Sequence, residues 1–134
     1  METRDTILRL IQQTALTLRA FFNSLPLEDP LHEQTVDDFS SQLKAQTAID
    51  LEALLLLKSS VDLQDYFTRH AAFDSTNQEL LADLLLSLAE RTVALDTIKS
   101  QAYQNLALSL YQLINKTTQT YNWEREVKIA RLKE

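Results

Sequence analysis

The chain contains no glycine and no cysteine, and only two prolines, Pro26 and Pro30, in 134 residues. Glycine enters left-handed and tight-turn backbone at little steric cost, so its absence disfavours β-hairpin meanders. It also removes the glycine-rich loops that cradle phosphates or dinucleotides and the G-x-S-x-G nucleophile turn. Helix ends must instead be built with Asn, Ser, Thr and Asp. Without cysteine there are no disulfides, no thiolate chemistry and no cysteine metal sites. No apolar run approaches the roughly 18 residues of a membrane span; the longest run of leucine is Leu54 to Leu57. These absences point to an all-α fold.

What is present fits that reading. Hydrophobic residues make up 45% and charged residues 24%, a globular balance in a chain the size of one domain. The net charge of −6 is unevenly spread: residues 28–90 carry −10, residues 91–134 carry +3 and residues 1–27 carry +1. An acidic middle repels nucleic acid, so nucleic acid is not an expected partner. Near the N-terminus Arg4 and Arg9 alternate with Glu2 and Asp5 in an amphipathic pattern, which is not a signal-peptide core. The expected location is cytoplasmic, with no membrane association.

Periodicity predicts six to seven helices in a single domain spanning 1–134. An N-terminal helix over 3–23, capped by Thr3, carries Ile7, Leu10, Ile11, Leu18, Phe21 and Phe22 on a broad apolar face. A proline connector over 24–34 repositions it, and a helical body fills 35–134. In that body Thr35 opens a helix bearing Val36, Phe39 and Leu43, and Asp50 caps a leucine-rich helix from Leu51 to Lys58. Leu63, Tyr66, Phe67 and His70 form a further amphipathic set, and a last helix runs from about Asn122 to Leu132.

The body is organised around Asn77 to Tyr121, read as two long helices joined by a short connector at Leu95-Asp96-Thr97. The first carries Leu80, Leu81, Leu84, Leu85, Leu88 and Ala89. The second carries Ala102, Tyr103, Leu106, Ala107, Leu110, Leu113 and Ile114 on two neighbouring stripes, so it has partners on two sides. The hairpin resembles a tetratricopeptide repeat. Leu85, Leu88 and Ala89 match the packing positions of that family's first helix, and Ala102, Leu106, Ser109 and Leu110 those of its second. One extra residue separates the small positions, the turn proline is missing, and Thr92 replaces an aromatic. The order of segments is also similar to a family of small uncharacterised bacterial helical proteins. Arg4-Asp5-Thr6-Ile7-Leu8-Arg9-Leu10-Ile11, Ile49-Asp50-Leu51 and the Leu80-to-Tyr111 region carry that resemblance. It implies a bacterial, cytoplasmic helical protein and no activity for any residue.

Catalytic and metal chemistry have few supports. His32 and His70 share no helical spacing, and Asp37/Asp38 and Asp62/Asp65 sit where first-turn acids offset the helix dipole. No enzyme activity, cofactor or metal is expected. The expected function is a protein-interaction or assembly module, with a protein partner or self-association as a homodimer. The alternative is a small regulatory or nucleic-acid-associated protein using a basic C-terminal helix. Interaction residues under either reading are Trp123, Arg125, Val127, Lys128 and Arg131. A lone repeat leaves apolar faces to be covered. Helix one and the Leu51–Lys58 helix are expected on one side, and the Trp123, Val127, Ala130 stripe is expected against Leu106, Leu110 and Leu113 on the other. If that last helix is instead exposed, Trp123 becomes an interface anchor.

Overall fold

Among the described residues, most of those spaced for helix form helix. The computed structural model describes residues 2–24, 33–57, 59–70, 72–93, 96–120 and 122–133, and no strand occurs among them. Seven helices lie in this part of the chain: α1 (Glu2–Ser24), α2 (Glu33–Thr47), α3 (Leu51–Leu55), α4 (Ser60–Thr68), α5 (Ser75–Thr92), α6 (Thr97–Thr118) and α7 (Trp123–Lys133). The fold is all-α.

Short polar side chains start these helices by accepting otherwise orphaned N–H groups. Asp50 accepts from Glu52 and Ala53, Ser59 from Asp62, Asp74 from Asn77, Asp96 from Lys99 and Asn122 from Arg125, all at 3.0–3.3 Å. Helix C-termini are solved differently from expectation. Ala48 after α2 and Gln119 after α6 take left-handed backbone, at φ 64° and 53°. Each donates its N–H four residues back, to the carbonyls of Lys44 and Asn115. Lacking glycine, the chain bears the steric cost of a Cβ in that region.

The centre is the α5–α6 hairpin. Ser100 Oγ donates to the carbonyl of Ala89 near the connector, and Tyr111 donates to Asp83 further away, so the two helices run antiparallel. Leu81, Leu84, Leu85, Leu88 and Ala89 of α5 are buried, as are Tyr103, Leu106, Ala107, Leu110, Leu113 and Ile114 of α6. Small residues at Ala89, Ser100 and Ala107 let the backbones approach. Thr92, at the position where the repeat pattern has an aromatic, is buried and satisfied by the carbonyl of Leu88 at 2.9 Å.

The hairpin is covered on both sides, with the covering helices distributed otherwise than expected. α1 lies along α5, whereas α3, α4 and α7 all pack on α6. Leu18 is 1% exposed and joins the main core. Asn77, buried at the start of α5, ties α1 down by donating to the carbonyls of Ile11 (3.0 Å) and Ala72 (2.7 Å). The α1 stripe is nevertheless narrower than predicted, because Leu10 is exposed together with Leu8 and Leu16.

Several boundaries shift. α2 begins at Glu33, so Thr35 lies inside it and is not its cap. α1 likewise begins at Glu2, one residue before Thr3. α3 stops at Leu55 rather than Lys58, since Leu56 and Leu57 close on Ala53 and Leu54 three residues back and Ser59 turns extended to cap α4. Its leucines are not all covered: Leu51 and Leu54 are buried while Leu56 is exposed. The connector with Pro26, Pro30 and His32, together with Lys58, Leu95 and Tyr121, lies outside the described residues, as do the side chains of Ile7, Phe21, Phe22, Val36, Asp37, Asp38 and Phe39.

Candidate interaction surface on the C-terminal helix

α7 carries acids in its first turn and bases in its last, the arrangement its dipole favours. At 100° per residue it presents two apolar stripes, and the one that packs inward is not the one predicted. Arg125, Ile129 and Leu132 face the hairpin, with Arg125 and Ile129 buried and Leu132 against the core. Trp123, Val127 and Ala130 face outward. Trp123 is 70% exposed and Val127 41% exposed, which overturns the expected packing of this stripe on Leu106, Leu110 and Leu113.

The rotation has an electrostatic cause. Glu79 and Asp83 lie four residues apart on one face of α5, and Arg125 and Lys128 lie three apart on α7. Arg125 grips Glu79 with two parallel hydrogen bonds, Nε to Oε1 and Nη2 to Oε2, both 3.3 Å. Its remaining arm, Nη1, donates to Asn115 Oδ1 at 2.7 Å, and Asn115 Nδ2 donates to Glu126 Oε1 at 2.8 Å. Lys128 donates to Asp83 Oδ1 at 2.9 Å and lies 5.6 Å from the centre of the Tyr111 ring. Every polar arm that turns inward on α7 therefore meets a partner, and rotation of the helix to bury Trp123 would strand them. A buried charge left unpaired costs several kcal/mol, more than the indole would return.

The polar groups of this cluster are paired with one another. Tyr111 is buried and hydrogen-bonded to Asp83; burial first, then that bond, push its hydroxyl far above the usual tyrosine range. It holds its proton at any physiological pH. His70 stacks on Tyr66 at 4.6 Å, and burial together with the charge of Arg69 lowers its pKa below the ordinary histidine value. The Tyr66 hydroxyl accepts the Asp50 N–H at 3.1 Å, so this ring pair braces the α3 cap. No group of three metal-ligating side chains occurs among the described residues.

Of the five interaction residues named from sequence, three point to solvent: Trp123, Val127 and Arg131. Arg125 and Lys128 turn onto the carboxylates of α5. Sequence reasoning missed Glu79, Asp83, Tyr111 and Asn115. The available signal was the match between an acidic i, i+4 pair on one helix and a basic i, i+3 pair on another.

A concave feature lies between α3, α4 and α6. It is a groove of about 610 Å³ lined by leucines such as Leu54, Leu63 and Leu106 and by polar residues including Asn105, Ser109 and Lys116. No helix among the described residues is long and apolar enough to cross a membrane. Comparison with protein-family models, curated proteins and solved structures finds no match for the chain.

Proposed function

We propose that this protein is a protein-interaction or assembly module without catalytic activity, and that the outward stripe of α7 is its contact surface. The observation that carries the reading is Trp123. The only tryptophan of the chain stands 70% exposed on a helix whose opposite face is fastened by Arg125, Ile129 and Lys128. An exposed indole next to Val127, on a rigid support, is the arrangement of an interface anchor.

The resemblance of the α5–α6 hairpin to a tetratricopeptide repeat supports the same reading, since such folds present grooves for peptides or helices. The similarity to the small bacterial helical family agrees with a bacterial cytoplasmic setting. A nucleic-acid partner is disfavoured, because Arg125 and Lys128 already neutralise Glu79 and Asp83 and are withdrawn from any basic stripe.

The test is affinity capture from the host with the full chain and with a Trp123→Ala/Val127→Asp variant. The captured partner is then purified and titrated directly. A partner, or further copies of the chain, held by the wild type and lost by the variant supports the reading. Equal retention by both chains, or binding of nucleic acid that weakens steeply with salt, overturns it.

A further inference from the structure

Resting on the reading above, we infer that the occupant of the α7 surface is a second copy of this chain, with the two α7 helices paired antiparallel about a two-fold axis at Val127. Trp123, Val127 and Arg131 recur every four residues on the outward face, and the pattern is symmetric about Val127. In an antiparallel pair, Val127 meets its own counterpart, and Trp123 of each copy lies level with Arg131 of the partner subunit across the seam. That juxtaposition sets a guanidinium against an indole, the strongest aromatic partner for a cation. A surface complementary to itself in this way closes into a dimer and does not propagate.

Charge selects the antiparallel direction. The first turn of α7 holds Glu124 and Glu126, and the last holds Arg131 and Lys133. Parallel pairing sets acid beside acid and base beside base. Antiparallel pairing sets each acidic end beside a basic end, twice. Glu124 and Arg131 are seven residues apart, hence about 20° apart around the helix and on the same flank of the Val127 stripe. Like flanks face each other in an antiparallel pair, so Glu124 reaches Arg131 of the partner subunit. Both side chains are exposed in the monomer, and neither forms an ion pair among the described residues. Ala130, small and exposed, lies on the other flank with Trp123 and leaves room for the indole of the partner subunit.

An 11-residue helix is about 16 Å long, so the seam falls short of the roughly 1,000 Å² that a stable interface buries. The dimer is therefore weak and concentration-dependent.

The test follows the full chain by sedimentation velocity and by emission of its single tryptophan across a dilution series. The expected result is a dimer whose emission moves red as it dissociates, with tighter association at low salt. Arg131→Glu and Glu124→Arg each weaken self-association by about tenfold or more, because each sets two like pairs across the axis. Mixing those two chains restores two attractive pairs and regains association to within about threefold of wild type. Circular dichroism confirms that each variant keeps its helix content. A chain that stays monomeric at every concentration overturns the inference, as does a dimer indifferent to Arg131→Glu, or a failure of the mixed chains to associate. If the chain is monomeric while captured partners still depend on Trp123, the occupant proposed here is wrong and the interaction reading stands.

Discussion

Arg125 on α7 holds Glu79 on α5 through two parallel hydrogen bonds across 46 residues of sequence. The Arg125 side chain is 7% exposed and that of Glu79 26%, so the pair is buried on the arginine side and partly hydrated on the carboxylate side. It orients α7, and through α7 it decides which side chains meet the solvent. Planarity matters, because only Arg can serve Glu79 with two donors and Asn115 with a third.

Removing one partner should therefore cost more than a surface ion pair. Arg125→Ala is expected to lose about 1.5–3 kcal/mol in urea unfolding, from its charged hydrogen bonds to Glu79 and Asn115. Arg125→Lys should recover a minor part, since an ammonium cannot reproduce the fork. A loss below about 1 kcal/mol would mean the pair behaves as if solvated.

Trp123→Ala is expected to be nearly neutral for the monomer, within about 0.5 kcal/mol, because an exposed side chain leaves no cavity. At low protein concentration the tryptophan should emit as a solvated indole and be open to a soluble quencher. A blue-shifted, protected signal in the dilute monomer would contradict the outward stripe.

Most of the fold was legible because it rests on local rules. Asp50 declared its helix, and the leucines from Leu80 to Leu88 declared the core face of α5. The rotation of α7 was not legible from hydrophobic spacing. Counting apolar residues favours Trp123, Val127 and Ala130 over Ile129 and Leu132, and counts Arg125 as solvent-facing. The deciding information was the acidic pair on α5, a relation between distant segments that periodicity within one helix does not register. The left-handed Ala48 was hidden for another reason. Alanine carries no turn signature, and its geometry is imposed by the capping bond to Lys44.

That left-handed position offers a gain in stability. Ala48→Gly removes a Cβ clash at φ 64°, worth roughly 1–2 kcal/mol, against about 0.5–1 kcal/mol of added chain entropy. Gln119→Gly should act alike at φ 53°. Each is expected to raise the melting temperature, and together they should add, since they cap different helices. A fall in melting temperature for both would show that these caps are not strained.

Stability should decline as pH falls, in two stages. The pKa of His70 is held below 6.5 by burial and by Arg69, so the unfolded chain binds a proton there more readily than the folded one. Its contribution is present above 6.5 and is lost as pH drops through the folded value. For Asp50 burial works upward, but the Ala53 N–H, Lys44 and the Glu52 N–H outweigh it and hold the carboxyl below 3.8. That contribution is present above 3.8 and is lost below the folded value, where the α3 cap is protonated. Unfolding midpoints measured against pH should show both steps, with His70→Gln abolishing the first. A stability that rises between pH 7 and 5 would contradict the sign.

α1 should prove inseparable from the hairpin even though much of its surface is exposed. Its hold on α5 is concentrated in a few contacts: Leu18 in the core, Thr14 buried beside it, and the Asn77 amide closing on the Ile11 carbonyl. Leu18→Ala is expected to cost about 2–5 kcal/mol, the range for a leucine removed from a packed site. Deleting residues 1–24 goes further, because it uncovers the side of α5 that α1 packs on and leaves Asn77 without its Ile11 acceptor. The shortened chain should bind a hydrophobic dye and lose cooperative unfolding. Asn77→Ala separates the two causes, since it removes the amide clasp while leaving that side of α5 covered, at about 1–3 kcal/mol. A truncated chain that melts at the wild-type temperature with a sharp transition would show that α5 and α6 are sufficient without α1.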